Sequence, residues 1–282
     1  MPAMAWRLTA DLEEYAGAVL PLLQGRPDRH TISLTVIENL RAGFPMPGRA
    51  LFAYWTEEDG TVTGAASHSP PYELLLADMP TSAVGPLVDA LLAAERELPG
   101  VNGPETLAAD FAAHWQQRSG RRARLAHEER LYRLGRLVPP DPPPPGRPRV
   151  ATREDSALLV DWLDRFVEET GTRGGDSREA VADRLSFGGL TLWVTPDGER
   201  VSLGGQTRAA AGAVRIGPVF TPPEERGRGF AGAVTAAVSR AAEESGAEMV
   251  LLFTDLANPA TNRLYQRIGY APVEDRRVLR FS

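Results

Sequence analysis

The chain has 282 residues, 43% of them apolar, enough for one large domain or two ordinary ones with real cores. It contains no cysteine, which excludes disulfides, thiolate metal sites and cysteine nucleophiles. The formal net charge is −6 and no basic block stands out, so nucleic-acid binding is not expected. No stretch approaches the ~20 apolar residues of a membrane span, and residues 1–15 lack an apolar signal region, so a cytoplasmic protein with no membrane partner is expected.

In the first half, Trp55 to Val62 has the pattern of a strand, an Asp59-Gly60 turn and a second strand. A strand over 72–76 leads into Met79-Pro80-Thr81-Ser82-Ala83-Val84-Gly85-Pro86, and a helix around 105–117 carries His114 and Trp115. The strand at 130–134 closes this half. Residues 138–148 hold a run of prolines that can form neither helix nor sheet interior, so an extended connector is expected there.

The second half repeats the pattern. Trp193 to Val201 is again strand, Asp197-Gly198 turn and strand, and 277–281 matches 130–134 in pattern, so an internal duplication is the economical reading. The expected domains are 1–137, a proline-rich linker 138–148, and 149–282. In the last of these, a helix over 153–169 precedes one opened by Asp176 and Glu179 at capping-box spacing. Strands follow at 190–194, 200–206 and 212–220. Alternating helices and strands around a mixed sheet make the class α/β or α+β.

The most informative segment is Val219-Phe220-Thr221-Pro222-Pro223-Glu224-Glu225-Arg226-Gly227-Arg228-Gly229-Phe230-Ala231. A strand that stops at two prolines and turns through two glycines into an amphipathic helix leaves unpaired N–H groups at the helix start, which attract anions. Arg226 and Arg228 add positive charge that can hydrogen-bond phosphate. No Gly-Lys-Ser/Thr follows, so this is not a Walker loop. After an apolar strand at 249–253 comes a helix bracketed by Asn258 as N-cap, Pro259 at N1 and Gly269 at C′. Its spacing places Asn258, Asn262 and Tyr265 on a polar face and Ala260, Leu264 and Ile268 on an apolar one.

The spacing Arg226-x-x-Gly229-x-Ala231, followed by the Asn/Tyr helix, resembles the two signatures of the GCN5-related N-acetyltransferase (GNAT) superfamily over residues from about 149 to 282. The resemblance implies two tandem acyl-CoA N-acyltransferase-like domains, with acetyl-CoA as cosubstrate and no metal. Val219, Phe220, Thr221, Arg226, Gly227, Arg228, Gly229, Phe230, Ala231, Asn258 and Asn262 would meet the cofactor, and Tyr265 would protonate the departing thiol. A backbone N–H at the end of the Val219-Phe220-Thr221 strand would hold the oxyanion.

The first half lacks the Arg and the spaced glycines, and Pro86 would remove a backbone donor, so this half resembles a degenerate copy that binds no CoA. All four histidines, His30, His68, His114 and His127, fall in it. Direct attack of an amine on an activated thioester needs none of them. Tyrosine, with pKa near ~10 against ~8.5 for a thiol, is an acid of suitable strength. Glu168, Glu169 and Asp255 are carboxylates at element ends that could act as base through water, but solvated charge is the commoner role for such groups.

The acceptor would be a small-molecule amine or a protein amino group. The tandem form also resembles mycothiol synthase, and a non-catalytic acyl-CoA sensor is an alternative from another class. One chain with two copies favours a monomer.

Overall fold

The computed structural model describes residues 4–44, 48–172 and 175–282. Two runs of elements follow one another in the same order. The first is β1 (Ala5–Thr9), α1 (Leu12–Gly25), α2 (Thr31–Arg41), β2 (Leu51–Thr56), β3 (Val62–His68), β4 (Leu74–Leu76), α3 (Thr81–Ala93), β5 (Gly100–Pro104), α4 (Glu105–Ser119) and β6 (Ala123–Leu134). The second is β7 (Arg147–Val150), α5 (Ser156–Thr170), α6 (Ser177–Ser186), β8 (Leu190–Val194), β9 (Arg200–Gln206), β10 (Ala213–Phe220), α7 (Phe230–Glu244), β11 (Met249–Asp255), α8 (Pro259–Arg267) and β12 (Tyr270–Phe281). The repetition gives two tandem domains of mixed α/β type.

The compact units do not follow the sequence boundary. The first comprises Met1–Leu131, Asp255–Ala257 and Val273–Ser282, and the second Tyr132–Thr254 and Asn258–Pro272. The strand expected to close the second domain therefore completes the first: Arg276 to Arg280 of β12 pair antiparallel with Pro104 to Gly100 of β5. The end of β6, residues 132–134, falls in the second unit instead. The two closing strands share the pattern Arg-apolar-apolar-Arg-apolar, and nothing in such a strand specifies which copy's edge it joins.

In the first unit, Leu87, Leu91, Phe111 and Trp115 form a core with Phe281 from β12, whose ring stacks on Trp115 at 5.5 Å. In the second unit the helices pack in two groups. Phe230, Val234 and Val238 of α7 and Tyr265 and Ile268 by α8 bury against Val214, Ile216, Val250 and Leu252. Leu159 and Trp162 of α5 and Val181 of α6 bury with Leu190, Leu192, Leu203 and Phe220. Helices therefore pack on the sheet through two separate cores.

Residues 147–148 of the expected linker belong to β7, where a proline is tolerated because β7 pairs with β8 alone. The entry to the second unit is fixed by Asp155, which is 1% exposed. Arg149 grips its carboxylate with two bonds of 2.8 and 2.9 Å, and the Thr152 N–H donates at 2.8 Å. Hydrogen bonds from Arg149 above all, then Thr152, hold this carboxyl well below the usual range despite burial. Its stabilisation is present above the unfolded carboxylate pKa of ~3.9 and fades as pH falls through the lower folded value. Asp155→Asn is expected to cost about 1–3 kcal/mol at neutral pH. The gap to the parent should close in strong acid, as followed by thermal unfolding of both proteins against pH.

Candidate active site

The site is built where β10 leaves its neighbour. β10 and β11 run parallel with Ala213 to Ile216 opposite Met249 to Leu252, and the pairing stops there. β10 keeps its other partner: after a bulge at 216–219, Val219 and Phe220 pair with Gly204 and Leu203 of β9. Beyond Ile216 the two parallel strands splay, and the backbone edge at 217–221 is freed from β11. Ser202, wholly buried on β9, fixes the splayed end by donating to Phe220 O at 3.2 Å and bonding Thr221 Oγ1 at 2.8 Å. The Phe220 ring turns toward α5, tilted against Trp162 at 5.9 Å with the Arg165 guanidinium 5.4 Å above it.

From this end the chain passes through a short 3₁₀ turn at Pro223–Glu225 and reaches α7 through Gly229, whose φ of 86° is open to glycine and strained for other residues. Gly229 is the N-cap of α7, with no side-chain cap. The N–H groups of 229–232 have no acceptor among the described residues, since the first intrahelical bond runs from Ala233 N to Gly229 O. The unpaired amides expected at this helix start are therefore found. Phe230 and Ala231 belong to it through their backbone only, and the Phe230 side chain is buried in the core.

The cradle arginines are not free charges, as the sequence suggested. Arg226 donates through Nε to Thr221 O at 2.9 Å and through Nη2 to Glu169 Oε2 at 2.6 Å, while Arg228 is paired with Glu225 and lies over the Phe230 ring at 4.9 Å. Positive potential concentrated at a helix start draws nearby carboxylates. Glu169, a candidate base, is thereby committed to Arg226. Asp255, another, accepts from Ala257 N at 2.7 Å and groups with the first unit. Glu168 is exposed and its carboxylate makes no hydrogen bond among the described residues.

On α8 the caps are as expected, with Asn258 Oδ1 accepting from Thr261 N at 3.2 Å. This employs the Asn258 side chain in holding the helix start. Asn262 donates to Asn258 O at 2.8 Å and accepts from Tyr132 Oη at 2.9 Å, and Tyr132 Oη accepts from Gln266 Nε2 at 3.2 Å. Tyr132 and Gln266 were not legible as site residues, because Tyr132 lies 130 residues away from Asn262.

Tyr265 corrects the expected polar face. It is 7% exposed and shares the core with Ile268 and Tyr270, whose ring it meets edge-on at 6.2 Å. Burial pushes its phenol up to about 12, above the value near ~10 assumed from sequence. Its hydroxyl has no hydrogen-bond partner among the described residues.

The corresponding turn in the first unit differs. α3 begins at Thr81, so Pro86 sits in its second turn and removes no first-turn donor, contrary to expectation. On α4, Trp115 is stacked in the core and His114 bonds Arg118 at 2.8 Å. Neither takes the part of an Asn/Tyr pair.

Residues 202–278 match the family model described as FR47-like protein. A solved Drosophila protein covers 99% of this chain and 99% of its own, with a TM-score of 0.70 and 15% identity. An acetyltransferase of the GNAT family from Colwellia psychrerythraea covers 98% of both chains at a TM-score of 0.62 and 12% identity. A tandem GNAT protein from the clavulanic acid biosynthesis pathway also covers 98% of both, at 0.58 and 14%. At these identities the likeness establishes the fold. No curated protein matches the sequence.

Loss of the Glu169 carboxylate should free Arg226 for an anion while Thr221 O keeps it in place. Glu169→Gln is expected to bind inorganic pyrophosphate about 2–5-fold more tightly in calorimetric titration, the range of an exposed ion pair.

Proposed function

From the fold of the GCN5-related N-acetyltransferases, which this chain has in two copies, we propose that it is an acyl-CoA-dependent N-acetyltransferase whose second unit binds acetyl-CoA. The observation that carries this reading is the splay of β10 from β11 leading directly into free amides on the first turn of α7. A pyrophosphate fits those donors, with Arg226 and Arg228 exchanging Glu169 and Glu225 for it. The splayed edge at Val219, Phe220 and Thr221 suits an extended pantetheine arm and offers N–H groups to a thioester oxygen.

Bound acetyl-CoA would supply an acyl group already activated as a thioester. The chain's own contribution is then placement and charge. Residues 149–282 hold no His and no Cys, which favours direct attack by an amine over a covalent enzyme intermediate. Tyr265 would donate a hydrogen bond to the leaving sulfur. With its phenol near 12, full transfer to a thiol of pKa ~8.5 is uphill by roughly 5 kcal/mol, so the proton moves only as charge builds on sulfur. The same shift keeps Tyr265 protonated throughout the working pH range.

The acceptor class is a small-molecule amine or a protein amino group, and one chain carrying two copies is expected to act as a monomer in the cytoplasm. A second reading, an acyl-CoA sensor without turnover, is favoured by the high phenol pKa and by the engagement of Glu169 with Arg226.

Calorimetric titration should show acetyl-CoA binding near one equivalent per chain, and a folded protein that binds none would remove the proposal. With an amine that is acetylated, Tyr265→Phe is expected to lower kcat on the order of 10²-fold and to leave acetyl-CoA affinity within about 3-fold. The parent's kcat should show no alkaline limb from Tyr265 below the phenol's raised pKa, which a pH–rate profile checks. Binding without turnover across a panel of amines would select the sensor.

A further inference from the structure

Residues 135–147 form a strap across the second unit, anchored at both ends. At one end Gly135 N donates to Gly269 O and Val138 N to Ile268 O, each at 3.0 Å, which ties the segment to the end of α8. At the other end Trp193 Nε1 donates to Pro145 O at 3.0 Å. Gly146 lies there at a φ of 115°, so close to β8 that a Cβ would stand 2.3 Å from Val194 O. A side chain at 146 would push the strap off its anchor.

Between the anchors the prolines differ in exposure. Pro140 and Pro144 are half-buried, while Pro139, Pro142, Pro143 and Pro145 are exposed. The two inward prolines meet the first turn of α7. A Cβ at position 232 would lie 3.5 Å from Pro140 Cγ, and one at 229 would lie 3.8 Å from Pro144 Cβ. Positions 229 and 232 bracket the turn whose amides have no acceptor.

We propose that Pro140 and Pro144 are positioning residues of the pyrophosphate site, forming the rigid wall that holds the first-turn amides of α7 in place for a diphosphate. The inference rests on α7 being that site. Proline suits the task in three ways. It has no N–H to compete with the amides, its ring lowers the local dielectric beside them, and its fixed φ means that little freedom remains to be lost on binding.

The test titrates inorganic pyrophosphate and coenzyme A into the parent, into Pro140→Gly/Pro144→Gly, and into the outward-facing control Pro139→Gly/Pro143→Gly. Both pairs lose the same ring stiffness at the same spacing. The wall predicts about 10-fold weaker binding of both probes by the inward variant, faster amide hydrogen exchange at 229–232, and parental affinity in the control. Should the inward variant fail to fold, Pro144→Ala against Pro143→Ala carries the same comparison. Equal affinities in all three proteins, or equal losses in both variants, would overturn the wall while leaving the site intact. A folded parent that binds neither probe would overturn the acyl-CoA reading and this inference with it.

Discussion

The end of parallel pairing between β10 and β11 at Ile216 and Leu252 governs the second unit. A parallel sheet satisfies its backbone groups by pairing on both sides, so a strand that parts from one neighbour while keeping the other must leave polar edge groups to be satisfied otherwise. Here β9 keeps β10 in register, Ser202 and Thr221 tie down its end, and Phe220 secures it against α5 through Trp162. What remains is a stretch of backbone unpaired on its β11 side and a turn that delivers the chain into a set of donors on α7. Splay and helix start are one device, and the site depends on their continuity.

The charges around this device are arranged against it. Glu169 and Glu225 occupy the two arginines nearest the free amides. These pairs are solvent-exposed and weak, so they screen the site at little cost to a stronger anion. An arginine held by a main-chain carbonyl, as Arg226 is by Thr221, stays oriented whether or not its carboxylate partner is present.

Local chemistry made much of this legible from sequence. The helix starts at Asp176 and Asn258 follow from capping groups, the stop at Gly269 from glycine, and the hairpins at Asp59-Gly60 and Asp197-Gly198 from turn preference. The cradle belongs to the same class, because turn and helix lie in one short segment. Long-range packing was not legible. Helical spacing put Tyr265 beside Asn258 and Asn262, but the core accepted it with Ile268, three positions on. Composition gave the proline run its stiffness and could not say that two of its rings would find α7. The charge pattern named Arg226 and Glu169 without revealing that they meet, because they are 57 residues apart.

The pairing of β12 with β5 has a consequence for how the chain acquires its structure. Arg276 is wholly buried in the first unit, bonded to Leu76 O and to Asn102, 174 residues before it. A ribosome that has finished the first ten elements has therefore not finished the first unit, whose β5 edge waits for Arg276 to Arg280. Until then that edge presents unpaired groups to any strand nearby. Closing so long a loop adds only slowly growing entropy, but it raises contact order, and with it the time the nascent chain spends incomplete.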